Sequence, residues 1–188
     1  AFNDLKARCA AVLKDIQQDY SVGLTDSIVR NFTELGGQVL DLISYSLGDP
    51  DFRAVLTQIR SLKPDVIFAP GYYTEAAIIV RQARELGLNM PILGGGGWMG
   101  DALANGREAL RNTFISNHYS GDNPAPVVQN FVAAYRKKFG KEPDSIAALA
   151  YDAVKVLADA ITRANTTEGP AVRNALAAAS VAGVTGQL

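Results

Sequence analysis

Cysteine is almost missing from this chain of 188 residues, and Cys9 stands alone. That excludes an internal disulfide and a multi-cysteine metal site. Cys9 sits in an apolar run and is expected to be a buried thiol. Histidine is equally scarce, with His118 as its only example. A catalytic imidazole needs a nucleophile or a metal beside it. Neither is evident here, so ordinary polar packing is the better reading. No apolar run approaches the ~20 residues of a membrane-spanning helix. Neither sign of charge dominates: 18 basic against 19 acidic residues give a net charge of -1. No basic cluster is interleaved with aromatic residues, so nothing argues for nucleic acid. The glycine run at Gly94–Gly97 is neither a GxGxxG fingerprint with its acid nor a P-loop. No Ser/His/Asp, Cys/His or paired-carboxylate set has credible spacing. The chain is therefore expected to bind rather than to catalyse, with no cofactor and no metal. The opening AFNDLKARC is too polar for a signal peptide. Any export signal is expected to have been removed or to lie outside the chain.

What is present is an alternation. Cys9–Leu13, Val39–Tyr45, Asp65–Ala69, Pro91–Leu93 and Thr113–His118 read as short strands. Between them, Ser21–Leu35, a segment starting at Gly48–Asp51 and running to Leu62, and Glu75–Leu86 read as helices with one apolar face. Asp101–Leu110 reads as a short helix. Thr74 is placed to cap the third helix, and Leu86-Gly87 to close it. Short strands alternating with longer helices predict an α/β fold, a Rossmann-like parallel sheet flanked by helices on both faces. After Tyr119 the strands stop. Val127–Phe139, Ser145–Ala164 and Pro170–Ala179 read as helices without an intervening strand. Two parts are expected: residues 1–140 as a ligand-binding α/β lobe, and 141–188 as helices of a hinge side or of a second lobe that is largely missing. The last residues look like the start of another strand, and both termini look cut.

The informative stretch is DVIFAPGYYTEAAIIVRQARELGLNMPILGGGG, Asp65 to Gly97. It reads as strand, aromatic loop, helix, strand, glycine loop. In an open α/β sheet the loops at the carboxyl ends of strands line the ligand crevice. Here they carry tyrosines and bare backbone, which suits holding a small molecule. Tyr20 follows the first strand, where its ring can stack on a ligand and its hydroxyl can bond to it; the bland alternative is a half-buried surface tyrosine. Of the adjacent Tyr72 and Tyr73, one is expected to face the crevice. Tyr72 is preferred, with Tyr73 packing on the helix. Gly96 and Gly97 let backbone N–H groups approach a ligand, or simply make a tight turn. Trp98 either walls the pocket or plugs the sheet end, and the wall is preferred. Glu75 in a first helical turn is expected to serve the helix. Tyr151-Asp152 is expected to satisfy local hydrogen bonds at the hinge side.

Four segments carry a resemblance: QQDYSVGLTDSIVRNFTELGG; GDPDFRAVLTQIRSLKPDVIFAPGYYTEAAIIVRQARELGL; GGGGW; and FGKEPDSIAALAYDAVKVLADAI. In this order and spacing they resemble the periplasmic branched-chain amino-acid-binding proteins, the solute receptors of ABC transporters. The resemblance covers about half of a family member, its carboxyl-terminal lobe, with the other lobe outside this chain. It implies a type I periplasmic-binding fold of two Rossmann-like lobes that close on a ligand. By motif, Tyr20 and Tyr72 match the family's ligand-loop tyrosines. The family often has an acid in the glycine loop for the ligand's ammonium group, and Gly96 stands at that position; either the ligand has no ammonium group, or another acid such as Asp101 or Asp122 substitutes. The resemblance implies capture of an amino acid or related small molecule for a membrane permease, in a periplasmic or extracellular setting, with or without a lipid anchor on the parent protein. A ligand-sensing regulatory or receptor module on the same fold is the alternative. Removal of one lobe is expected to leave apolar helix faces at Ser145–Ala179 that drive self-association.

Overall fold

The computed structural model describes residues 1–99 and 109–188. The expected short helix at Asp101–Leu110 and the candidate acid Asp101 fall on or within the remaining stretch, outside the described residues.

Two compact units are present, Ala1–Ser116 and Asn117–Leu188. The first contains β1 (Cys9–Asp15), α1 (Asp19–Glu34), β2 (Gln38–Tyr45), α2 (Arg53–Leu62), β3 (Val66–Phe68), α3 (Tyr73–Glu85), β4 (Ile92–Gly94) and β5 (Thr113–Ile115). The strands form one parallel sheet in the order β2-β1-β3-β4-β5. Alternation decides which side each residue serves. Ala10, Val12, Val66 and Phe68 point to one face and pack with Phe32 of α1. Ala11, Leu13, Ile67 and Ile92 point to the other and pack with Leu56 and Ile59 of α2 and Ile79 and Ala83 of α3. Both faces of the central strands are thus covered, which is why β1 and β3 read as continuous apolar runs. This confirms the expected α/β architecture.

Each helix ends where its sequence forces it to. Lys63 adopts a left-handed φ of 53° before Pro64 and stops α2. Leu86 closes α3, and Gly87 follows at φ 77°. One expectation fails here. Tyr72, not Thr74, is the residue before α3, and no side chain caps it. Thr74 lies inside the first turn, where its hydroxyl donates to the Glu75 carboxylate at 2.9 Å. Cys9 also departs from expectation: it is only partly buried, at the sheet's amino edge, with Sγ 4.0 Å from the Lys63 carbonyl. Asp65 ties that edge together by accepting from the N–H groups of Arg8 (2.7 Å) and Cys9 (2.9 Å). Those bonds hold its carboxyl below the usual range.

The second unit contains α4 (Pro126–Phe139), α5 (Ser145–Ala164) and α6 (Gly169–Ala177). Its core gathers Tyr119, Val128, Phe131, Val132, Ala148 and Val184. The expected boundary at 140/141 is therefore displaced to 116/117. The physical reason is that α4 buries its apolar face against α5, with the Phe131 and Tyr151 rings 4.8 Å apart. The last residues form a local antiparallel bridge, Ala182 with Gln187. They fold back on themselves, with Val181 and Leu188 exchanging both backbone hydrogen bonds at 2.8 and 2.9 Å. The Asp152 carboxylate holds this turn, accepting from the Val184 and Thr185 N–H groups and the Thr185 hydroxyl, all at 2.8 Å. Burial penalises its charge, but these donors outweigh that cost and keep its pKa below the ordinary value. One side of α5 stays apolar and exposed, with Ile146, Leu149, Val154 and Leu157 open.

Candidate functional site

The site forms at the carboxyl edge of the unit 1 sheet, where β1, β3 and β4 hand over to the segments that follow them. The β1–α1 turn is short and tightly tied. The Asp15 N–H donates to Ser21 Oγ at 3.0 Å, and the Asp15 carboxylate accepts from the Gln17 N–H at 2.9 Å. Asp15 and Ser21 are both buried. This lock starts α1 at Asp19, two residues earlier than expected, and places Tyr20 in its first turn.

Tyr20 and Tyr72 come together. Their ring centroids lie 5.3 Å apart with planes tilted by 38°. That is within the range of favourable aromatic pairs. Tyr20 is half-buried, and its hydroxyl accepts from the Gly97 N–H at 3.2 Å. Tyr72 is 36 % exposed. Tyr73 does not pack down as expected but is exposed, because it is the first residue of α3 and points away from the core.

The glycine loop is a single 3₁₀ turn, Gly96–Trp98, stacked directly on these rings. Gly97 has no room for a side chain. A Cβ there would stand 2.6 Å from the Gly71 carbonyl oxygen and 2.9 Å from the Tyr20 ring. Gly94 is equally constrained, since a Cβ would strike the Trp98 indole. These glycines are therefore required by close approach. Gly96 remains partly exposed on the same turn.

Trp98 corrects the preferred reading. It is 2 % exposed and belongs to the core. Its indole N–H donates to the Ala69 carbonyl at 2.9 Å. A buried indole needs such a partner, and the glycines leave the space it fills. Trp98 thus supports the loop from beneath and does not wall the pocket. Glu75 plays the structural part expected of it. It is 4 % exposed, and its carboxylate accepts from the Gly48 N–H at 3.0 Å as well as from Thr74. His118 is exposed.

Two contributors escaped sequence reading. The Gly71 carbonyl forms part of the floor against Gly97. Tyr45, at the end of β2, is buried in the core beside Phe52, with ring centroids 5.2 Å apart. Burial, then the charges of Asp15, Glu75 and Asp49, push its phenol pKa up. It therefore stays neutral and acts as packing. Gly71 is signalled in the sequence only by its place in the PGYY turn, and Tyr45 only by ending the strand Val39–Tyr45. Among the described residues no cluster of His, Cys, Asp or Glu could hold a metal.

A family profile described as "Periplasmic binding protein" matches residues 1–188. The chain belongs to this family. Among curated proteins it is 27% identical over 179 residues to the Leu/Ile/Val-binding protein homolog 1 of Brucella suis, covering 93% of this chain and 47% of that protein. It is 27% identical over 192 residues to the leucine-, isoleucine-, valine-, threonine- and alanine-binding protein of Pseudomonas aeruginosa, covering 97% and 49%. Among solved structures, the leucine-binding protein LivK of Thermotoga maritima superimposes with a TM-score of 0.92 at 39% identity, covering 100% of this chain and 54% of that one. LivJ of Streptococcus pneumoniae, in complex with isoleucine, gives 0.83 at 32% identity, covering 99% and 53%. The chain spans about half the length of the relatives it matches. Its α/β unit is thus one Rossmann-like lobe of the type I periplasmic-binding fold.

Proposed function

We propose that this chain is the gripping lobe of a solute receptor that captures a small molecule, without chemistry, and delivers it to the membrane permease of an ABC transporter. The observation that carries this reading is the tyrosine pair locked onto the glycine turn: the Tyr20 hydroxyl bonded to Gly97, with Tyr72 5.3 Å across from its ring. Two half-exposed phenols present apolar faces and hydroxyls together. The bare backbone at Gly96 and Gly97 lets a ligand approach closely. Such a surface buries an aliphatic or aromatic body while satisfying a few polar groups. The ligand class that the relatives support is a branched-chain amino acid. Gly96 contributes no carboxylate, so the ammonium of such a ligand takes its acceptor from elsewhere. A receptor of this kind works in the periplasm or outside the cell, and closes because the ligand prefers the closed form.

The test is titration of the isotopically labelled chain with leucine and isoleucine by NMR. Shifts should converge on Tyr20, Tyr72, Gly96 and Gly97, and Tyr72→Ala should weaken them about tenfold. Shifts spread at random over the surface, or none at saturating ligand, would overturn the reading.

A further inference from the structure

The edge of the sheet opposite the tyrosines carries a concavity. It has a volume of about 390 Å³ and is lined by Arg84, Asn89, Arg111 and Asn112. These residues come from the end of α3 and from the segments leading into β4 and β5, so the concavity lies at the amino ends of the strands. We propose that it binds a phosphate-class oxyanion. The inference goes beyond the receptor reading and does not depend on it.

Arg84 is anchored by neutral groups. Its guanidinium donates to the backbone carbonyls of Leu88, Met90 (3.2 Å), Arg111 (2.7 Å) and Asn112 (3.4 Å). Carbonyls satisfy its donors and leave its charge whole. Ion pairs among the described residues involve Arg53, Arg81, Arg136 and Arg163, but neither Arg84 nor Arg111. The acid next in sequence, Glu85, is already shared between Arg53 and Arg81. Arg84 is partly buried, and that desolvation pulls its pKa below the ordinary arginine value. An anion alongside would relieve the penalty.

Arg111 supplies a second guanidinium. Its backbone carbonyl is held by Arg84, while its exposed guanidinium makes no hydrogen bond among the described residues. Asn112 is fixed at a left-handed φ of 58°, and its amide donates to the Asn89 carbonyl at 3.0 Å. The backbone around the concavity is therefore cross-linked before any ligand arrives. The exposed Asn89 side-chain amide makes no hydrogen bond among the described residues. A rigid frame, one anchored guanidinium and one exposed guanidinium suit the planar, two-pronged recognition that arginine gives to phosphate.

The experiment is titration of the labelled 188-residue chain with sodium phosphate against sodium chloride at matched ionic strength. Phosphate should give saturable shifts at the amides of Leu88, Asn89, Asn112 and Thr113, with half-saturation in the millimolar range. Arg111→Gln should weaken this about tenfold while leaving the Tm in chloride unchanged. Asn89→Ala should weaken it less and serves as the second variant. Shifts that never saturate, that chloride reproduces, or that persist equally in both variants overturn the proposal.

Discussion

Two turns in this molecule are held in opposite ways. The glycine turn Gly96–Trp98 is held by shape. A buried indole supports it from below, the Tyr20 ring crowds it from the side, and Gly94 and Gly97 have no space for a Cβ. The carboxyl-terminal turn at Val184–Thr185 is held by charge. One buried carboxylate, Asp152, collects three donors. Packing is insensitive to pH but intolerant of volume changes. A carboxylate clamp tolerates changes in its surroundings but fails when protonated. A turn built in the first way keeps its geometry across conditions.

The sharpest way to break this contrast is Trp98→Ala. Removing a fully buried indole should cost about 3–5 kcal/mol and release the Ala69 carbonyl from its partner. Urea unfolding followed by circular dichroism measures it. Trp98→Phe separates the two contributions, because it keeps most of the volume and loses the hydrogen bond. A cost near zero for Trp98→Ala would mean that the turn does not rest on the indole.

Asp152→Asn comes next. It preserves shape and removes the charge that three donors share, and about 2–3 kcal/mol should follow. Proton-exchange protection at the Val184 and Thr185 amides reports it locally. The same clamp predicts a pH dependence. The folded carboxyl titrates below its unfolded value of about 3.9. Its contribution is therefore fully present above about pH 4 and is lost as pH falls through the lower folded value. Protection at Val184 and Thr185 should fall in that window, while the Gly97 amide should keep its protection. A parallel loss at both turns would erase the distinction.

Gly97→Ala probes the shape-held turn by addition rather than removal. The new Cβ meets the backbone carbonyl of Gly71, which cannot rotate away as a side chain could. A cost of about 1–3 kcal/mol is expected, with loss of leucine-induced shifts at Tyr20 and Tyr72. Stability and binding should fall together here.

Much of this arrangement was legible in the residues. The strands at Cys9, Val39 and Val66 and the helix Ser145–Ala164 declare themselves through apolar period and flanking Gly, Pro or Asp. The pairing of Tyr20 with the glycine turn followed from placing both at carboxyl strand ends. The fate of Trp98 was not legible. An aromatic residue after four glycines can turn outward or inward, and only the cavity left by those missing side chains decides. The boundary at 116/117 was hidden because α4 is amphipathic in the same way as the helices before it, and sequence does not say which partner covers its apolar face. Thr74 differs for a simpler reason: a hydroxyl before an apolar run signals a cap, but α3 begins at Tyr73, two residues before the expected start, and the Thr74 hydroxyl inside its first turn donates to Glu75.

The smallest expected effect is also the most discriminating. Tyr20→Phe keeps the ring that crowds Gly97 and deletes only the oxygen that accepts its N–H. That N–H is partly exposed and can turn to water, so the cost should sit near the low end of a neutral hydrogen bond, about 0.5–1 kcal/mol. The turn should keep its place, and protection of the Gly97 amide should drop modestly. Leucine-induced shifts should persist if the ring is what the ligand meets, and should weaken if the hydroxyl is. A cost approaching that of Trp98→Ala would show that the phenol oxygen, and not the packing beneath it, holds the turn, and the contrast with Asp152 would vanish.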